Sequence, residues 1–257
     1  MRLSTLLLPT ALLLSGAAHA QTTAEKPVIV LVHGAFAESS SWEPVITRLE
    51  KDGYTVIAAA NPLRSVASDG AAVSAVVKSI RGPVVLVGHS YGGPVITEAA
   101  NGNQNIKALV YVAGFAPETG ESSFSLSGKF PGSTLGEALT AVPLPDGGQD
   151  LYIQPARFHA QFAADVPVGQ AAVMAATQRP ITMKALQEPT GVATWKTLPN
   201  YMIYGSADRN IPAAVMKFMA ERAHARKIVE IPGASHALMV SHPTEVAELI
   251  EEAATVR

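Results

Sequence analysis

The sequence contains no cysteine among its 257 residues, so it forms no disulfide and offers no thiol for lipid attachment. Charged residues are scarce at 16%, the formal net charge is only −2, and no basic cluster occurs. This charge distribution argues against nucleic acid and anionic membrane surfaces as partners. Hydrophobic residues make up 48%, which is typical of a chain with a well-buried core. The length suits one domain, or one domain with an insertion.

The first twenty residues have the order of a secretory signal. Arg2 supplies a positive start, residues 3–14 are almost wholly apolar, and Ala18-His19-Ala20 precedes Gln21. An uncleaved anchor is the alternative, but the apolar run is shorter than the roughly 20 residues that span a bilayer. The pattern predicts cleavage after Ala20 and export to the periplasm or outside the cell, with no stable membrane insertion of the mature chain.

Apolar runs alternate with helical patterns through much of the chain, which predicts a mostly parallel sheet with helices on both faces. The runs that resemble buried strands are residues 28–32, 54–60, 83–87, 106–113, 200–204 and 227–231. Helical patterns follow five of them, at residues 41–52, 69–80, 91–101, 212–225 and 242–257.

The alternation stops between residues 118 and 197, which we interpret as a cap inserted into one domain of residues 21–257. The domain core would then comprise residues 27–117 and 198–257. Within the insertion, helical patterns occur at residues 155–164, 168–178 and 181–187.

The segment Gly88-His89-Ser90-Tyr91-Gly92 connects a predicted strand to a predicted helix. This is the setting of a nucleophile elbow, in which a sharp turn projects a serine hydroxyl from the sheet. The glycines remove side chains that would collide with neighbouring backbone. A five-residue motif with only three fixed positions also occurs by chance. The alternative is therefore an ordinary glycine-rich turn whose serine has no catalytic role. The prediction therefore depends on the partners of Ser90 elsewhere in the chain.

His33-Gly34-Ala35-Phe36 follows the first predicted strand and is a candidate oxyanion loop. Acyl transfer builds negative charge on a carbonyl oxygen, which preorganised backbone N–H groups can stabilise. We expect the backbone N–H groups of Tyr91 and Ala35 to bind the oxyanion, with the N–H of Phe36 as the reserve donor. Gly34 would bring the loop close to the site and His33 would hold it by hydrogen bonds. A simple strand-ending turn is the alternative.

Asp208 and His236 each follow a late predicted strand, and they succeed Ser90 in the order that this chemistry uses on α/β sheets. We predict Asp208 as the orienting acid and His236 as the base. The remaining histidines and nearby acids occupy positions that suit packing or surface roles better: His19, His89, His159, His224, His242, Glu98, Asp146, Asp150 and Asp165.

Four segments, 31–36, 87–93, 205–208 and 235–236, resemble landmarks of the α/β-hydrolase superfamily. Residues 61–62, 111–113, 176–180 and 235–238 are similar to those of an exported bacterial group related to plant-type esterases and hydroxynitrile lyases. The resemblance implies the α/β-hydrolase fold, with a sheet of about eight strands, a helical cap after the sixth strand, and no metal or organic cofactor.

The resemblance also separates chemistries. Relatives that dehalogenate or open epoxides carry an aspartate where Ser90 stands. The hydroxynitrile lyases carry a threonine beside the loop histidine, where this chain has Gly34, and a lysine near the site, whereas no lysine lies close to His236 in the sequence. These departures favour hydrolysis over dehalogenation, epoxide opening and cyanohydrin cleavage.

The predicted function is Ser-His-Asp hydrolysis of small to medium apolar carboxylic esters, with a small ester-like molecule as the partner and the oligomeric state left open. Lactone, amide or carbon–carbon hydrolysis with the same triad remains open, as does a non-catalytic ligand-binding homologue. Candidate pocket residues come from the insertion, where a role in the cap's own core is the alternative for each: Phe158, Phe162, Met174, Met183 and Trp195.

Overall fold

The computed structural model describes residues 25–145 and 147–256. The predicted secretory signal, residues 1–20, lies outside the described residues. Among the residues described, no helix is long and apolar enough to cross a bilayer.

Six parallel strands form the main sheet, in the order β2-β1-β3-β4-β8-β9. Their bounds are β1 Val28–Val32, β2 Val56–Ala59, β3 Val84–His89, β4 Ile106–Val112, β8 Asn200–Gly205 and β9 Lys227–Ile231. The central strands are buried on both faces, and β1, β3 and β4 are rich in β-branched residues, while the edge strands β2 and β9 are partly exposed. The predicted fold class and all six predicted runs are thereby confirmed.

The expectation of about eight strands was wrong for the described chain. That number came from the resemblance, whereas the sequence itself offers six apolar runs in the alternating region, and each of them becomes a strand of the sheet. The insertion consequently follows the fourth strand of this sheet, β4, and not a sixth strand.

Helices cover both faces of the sheet. On one face α1 packs against α11, which lies across β3, β4 and β8, and on the other face α2 packs against α3. The helices outside the insertion are α1 Glu43–Lys51, α2 Val66–Lys78, α3 Gly92–Ala99, α9 Ala213–Arg222, α10 Leu238–Ser241 and α11 Pro243–Ala254. Ser65 caps α2, because its side chain accepts a hydrogen bond from the Ser68 N–H at 3.0 Å.

The chain between β4 and β8 contains the expected helices and also a second sheet, which the expectation of a helical cap did not include. Three strands pair antiparallel there, in the order β5 Leu139–Pro143, β6 Gln149–Ile153 and β7 Ile181–Thr182. The helices are α4 Ser123–Ser127, α5 Leu135–Ala138, α6 Pro155–Phe162, α7 Val168–Thr177 and α8 Met183–Gln187. The hairpin of β5 and β6 escaped prediction because most residues of β5 are exposed and show no apolar alternation.

Candidate active site

Ser90 occupies a strained turn at the carboxyl end of β3. Its φ of 53° lies in the left-handed region, which residues with a Cβ atom rarely adopt. Backbone hydrogen bonds hold the turn: the Ser90 N–H donates to Val112 O at 3.2 Å, and Ser90 O accepts from Gly93 N at 2.9 Å and from Phe115 N at 3.2 Å. The strain is thus supported by β4, by α3 and by the loop after β4.

The glycines of the turn are required by close backbone contacts. A Cβ atom on Gly88 would lie 2.5 Å from Gly92 O, and one on Gly93 would lie 2.0 Å from Phe115 O. Real Cβ atoms do not approach backbone atoms so closely, so the tight crossing of β3, α3 and the loop after β4 depends on both glycines.

His236 and Asp208 form a buried pair at the same edge of the sheet. Asp208 follows β8 and His236 follows β9, and the His236 Nδ1 atom lies 2.6 Å from Asp208 Oδ2. The other carboxylate oxygen, Asp208 Oδ1, accepts the N–H groups of Asn210 at 2.7 Å and Ile211 at 2.9 Å. Asp208 is therefore fixed by donors on both oxygens, and Nδ1 of His236 carries the proton.

His89 connects this pair to the serine turn. Its Nε2 atom donates to the His236 carbonyl oxygen at 3.1 Å, and the two imidazole rings lie 4.7 Å apart. Burial, together with the neighbouring His236 and His33, lowers the pKa of His89 well below its usual value, so the ring is neutral. In this structure no hydrogen bond joins the Ser90 hydroxyl to His236; such bonds often tighten only when substrate is bound.

The loop after β1 reaches the serine through Gly34. A Cβ atom there would lie 2.6 Å from Ser90 Cβ and 2.6 Å from His89 O. His33 holds the loop: its Nδ1 donates to Gly34 O at 2.9 Å and its Nε2 accepts the Asn61 N–H at 3.1 Å. Burial lowers the pKa of His33 to about 4, so this neutral arrangement persists across ordinary pH.

Two backbone N–H groups beside Ser90 are free. Within the described part of the chain, neither the Ala35 N–H nor the Tyr91 N–H makes a hydrogen bond. The N–H of Phe36, by contrast, donates to Arg179 O at 2.9 Å. Phe36 was expected as a reserve oxyanion donor, and this is corrected by the structure, because its only N–H is already used.

Tyr91 is anchored by its side chain, a contact that the sequence did not indicate. Its hydroxyl donates to Asp69 Oδ2 at 2.9 Å, and Asp69 also accepts the Arg64 N–H. Burial raises the pKa of both side chains, that of Asp69 and that of Tyr91. The residue after Ser90 is thereby fixed to the start of α2.

A cavity of about 120 Å³ opens beside Ser90 and the free N–H groups. An engineered apolar cavity of about 150 Å³ binds benzene, so this space suits a small organic group. The lining residues are mostly apolar and none is charged: Ala35, Phe36, Ser90, Tyr91, Phe115, Ser123, Phe124, Ser127, Ser133, Leu135, Gly136, Leu139, Leu151, Met183, Leu186, Asn210 and Ile211.

Of the five predicted pocket residues, Met183 lines this cavity and the others do not. Phe158 and Phe162 are fully buried and stack on each other inside the insertion, with ring centroids 5.0 Å apart. The Trp195 indole donates to Pro117 O at 2.7 Å and borders a separate surface cleft. Met174 borders another depression. None of these four residues lines the cavity, and Phe162 packs against the His236 ring as well as against Phe158.

Sequence reasoning missed most of the cavity wall. Leu135, Leu139 and Leu151 belong to elements of only four or five residues, which are too short to show a period. Phe115 and Ile211 follow strand ends, as Ser90 and Asp208 do, and that position was the one available signal.

Known proteins share this fold. The model of the alpha/beta hydrolase family matches residues 29–249. This chain belongs to that family. A pyrethroid hydrolase from Sphingobium wenxiniae is 26% identical over 257 residues, covering 87% of this chain and 86% of that protein. An alpha-hydroxynitrile lyase from Arabidopsis thaliana is 23% identical, covering 88% and 96%.

The crystal structure of polyneuridine aldehyde esterase superposes on the hydrolase with a TM-score of 0.77. It is 22% identical in sequence and covers 89% of this chain and 99% of that one. The superfamily that contains plant-type esterases and hydroxynitrile lyases is thereby confirmed for this chain, and its relatives include esterase-type hydrolases. The described residues contain no cluster of three or more His, Asp or Glu side chains able to hold a metal ion.

The approach of Gly34 to Ser90 makes a testable prediction. Gly34→Ala is expected to push the loop away from the serine and to lower kcat for ester hydrolysis by about 10²- to 10³-fold, the loss typical of one oxyanion donor. Ester turnover by purified, folded protein is the measurement. Gly169→Ala is the matched control, because a Cβ atom there meets nothing within 4 Å. An active Gly34→Ala variant would contradict the account of this loop.

Proposed function

We propose that this hydrolase cleaves neutral carboxylic esters with a small apolar arm through an acyl-enzyme formed on Ser90. The observation that carries the proposal is the shared cavity: Ser90 lines it together with Ala35 and Tyr91, whose N–H groups are free. An ester carbonyl beside Ser90 would find a nucleophile and two donors for its developing oxyanion.

The proposed mechanism uses the His236–Asp208 pair as base and orienting acid. Nδ1 of His236 faces Asp208, which leaves Nε2 as the ring nitrogen that would accept a proton. It takes the proton of Ser90 as Ser90 Oγ attacks the carbonyl carbon, and returns it to the leaving alcohol oxygen. Water then attacks the acyl-enzyme by the same route, which releases the acid and regenerates Ser90.

The cavity supports a neutral substrate. Burying a charged group without a counter-charge is costly, and no charged side chain lines the space. The apolar wall comes largely from the insertion, through Leu135, Leu139, Leu151, Met183 and Leu186. Carboxylate- or ammonium-bearing esters are therefore poor candidates.

Matched substrates test the proposal. We expect hydrolysis of 4-nitrophenyl pentanoate, with kcat/KM at least about tenfold higher than for the 4-nitrophenyl monoester of succinate, whose acyl chain ends in a carboxylate. The anilide with the same acyl group, a lactone and a cyanohydrin complete the panel. Faster turnover of the anilide, lactone or cyanohydrin would contradict the ester assignment, and preference for the succinate ester would contradict the neutral substrate.

A further inference from the structure

Asp165 of the insertion is hydrogen-bonded to the residue that precedes His236. It lies in the connection between α6 and α7, and both of its carboxylate oxygens face Ser235. The Ser235 N–H donates to Asp165 Oδ2 at 3.2 Å, and the Ser235 hydroxyl donates to Asp165 Oδ1. Because Ser235 and His236 are adjacent, these two bonds restrain the backbone from which the imidazole projects.

The connection that carries Asp165 is itself ordered by hydrogen bonds. The Val166 N–H donates to Ala163 O at 3.0 Å, and His159 Nε2 donates to Val166 O at 2.9 Å. His242 Nε2 lies 3.3 Å from Asp165 Oδ2. Partial burial alone would raise the pKa of Asp165, but the hydrogen bonds from Ser235 outweigh it and hold the pKa below its usual value. The acceptor is thus a fixed carboxylate.

The same part of the insertion touches the His236 ring. Phe162, the last residue of α6, meets the imidazole edge to face, with centroids 5.0 Å apart and planes at 76°. The Phe162 carbonyl also accepts the Ser235 hydroxyl at 3.4 Å. Asp165 itself does not line the cavity beside Ser90. Its contacts therefore act on the base and not on bound substrate.

We propose that Asp165 is a positioning residue for the base: it clamps Ser235 from the insertion and so sets the orientation of His236. The inference rests on the proposed function, in which His236 is the general base. The insertion would then position the base as well as line the cavity, because loss of the clamp would misplace the imidazole. Small misplacements of reacting groups are costly to the chemical step and leave substrate binding largely unaffected.

Replacement of Asp165 tests the clamp. We expect Asp165→Ala to lower kcat for 4-nitrophenyl pentanoate about tenfold, with KM within about twofold of the wild type. Asp165→Asn keeps one acceptor oxygen, so its kcat should lie between those of the wild type and Asp165→Ala. Because the Ser235 hydroxyl acts through Asp165, adding Ser235→Ala to Asp165→Ala should lower kcat by less than about a further twofold.

Glu121→Ala is the matched control. Glu121 is an equally exposed carboxylate of the insertion (24% against 23%), but its partner is Arg222, at 2.8 Å. We expect this variant to keep kcat and KM within about twofold of the wild type. Thermal unfolding of all variants separates lost stability from lost positioning.

The low-field NMR signal of the His236 Nδ1 proton gives a second readout that needs no turnover. It should shift or broaden in Asp165→Ala and stay unchanged in Glu121→Ala. Three results would each overturn the clamp. Asp165→Ala could keep the wild-type kcat and an unchanged signal, or it could raise KM with unchanged kcat. The effects of Asp165→Ala and Ser235→Ala on kcat could also be fully additive. A folded wild type that cleaves no ester would instead refute the proposed function, and the NMR comparison would still decide the clamp.

Discussion

Replacing Ser90 with alanine is expected to lower kcat for ester hydrolysis by roughly 10⁶-fold, the loss seen when a serine nucleophile is removed from such a triad. The change deletes only the hydroxyl. Alanine keeps the Cβ atom, and within the described residues the hydroxyl makes no hydrogen bond whose partner would be left unpaired. The variant should therefore fold as the wild type does and lose its chemistry.

Ester turnover and thermal unfolding of the same preparations measure this prediction. Ser123→Ala is the matched control, because Ser123 is also a buried serine lining the cavity, yet it has no role in the proposed mechanism. We expect it to keep kcat within about tenfold of the wild type, as a change in the cavity wall would. A comparable loss of kcat in both variants would contradict the assignment of Ser90 as the nucleophile.

Asp208→Asn is expected to lower kcat by about 10⁴-fold through the tautomer of His236. Both donors to Asp208 Oδ1 are backbone N–H groups, from Asn210 and Ile211. An asparagine side chain must turn its own oxygen toward them, which leaves its NH₂ group facing His236 Nδ1. Nδ1 must then accept, so the proton moves to Nε2, and the imidazole can no longer take a proton from Ser90.

Steady-state kinetics measure the loss, and the NMR signals of the His236 ring nitrogens report the tautomer directly. Asp150→Asn serves as a control, because Asp150 is a partly buried carboxylate of the insertion that pairs with Arg64 at 2.7 Å. It should leave the tautomer unchanged. Turnover within about tenfold of the wild type in Asp208→Asn would exclude an orienting role for Asp208.

The main sheet could be predicted from the sequence because its strands are buried on both faces. Continuous runs such as Val28–Val32 leave no alternative to a covered strand, and the order of alternation dictates parallel pairing. Six such runs occur and each forms a strand of the main sheet, whereas the resemblance implied about eight strands. The residues of this chain were the better guide to its own sheet.

The meeting of distant residues was also predictable, because parallel strands bring their carboxyl ends to one edge. Ser90, Asp208 and His236 follow three different strands, and Asp208 indeed contacts His236. The contacts that hold these residues were not predictable. The bonds of Tyr91 to Asp69 and of Ser235 to Asp165 join segments far apart in the chain, and no local pattern signals such pairing.

The cavity wall was the least predictable part. Large apolar side chains of the insertion seemed the natural candidates, but Phe158 and Phe162 are needed to fill the space between the insertion and the His236 loop. Smaller leucines on short, irregular elements line the cavity instead. Which apolar residue faces a cavity and which fills the core depends on tertiary packing, which periodicity does not encode.

Reaction with a fluorophosphonate, followed by mass spectrometry of the intact protein and of its peptides, tests whether Ser90 is the nucleophile. We expect one adduct per molecule of folded protein, located on Ser90 and absent from Ser90→Ala. No adduct on the folded wild type would indicate a ligand-binding homologue without catalysis, and an adduct on another residue would contradict Ser90 as the nucleophile.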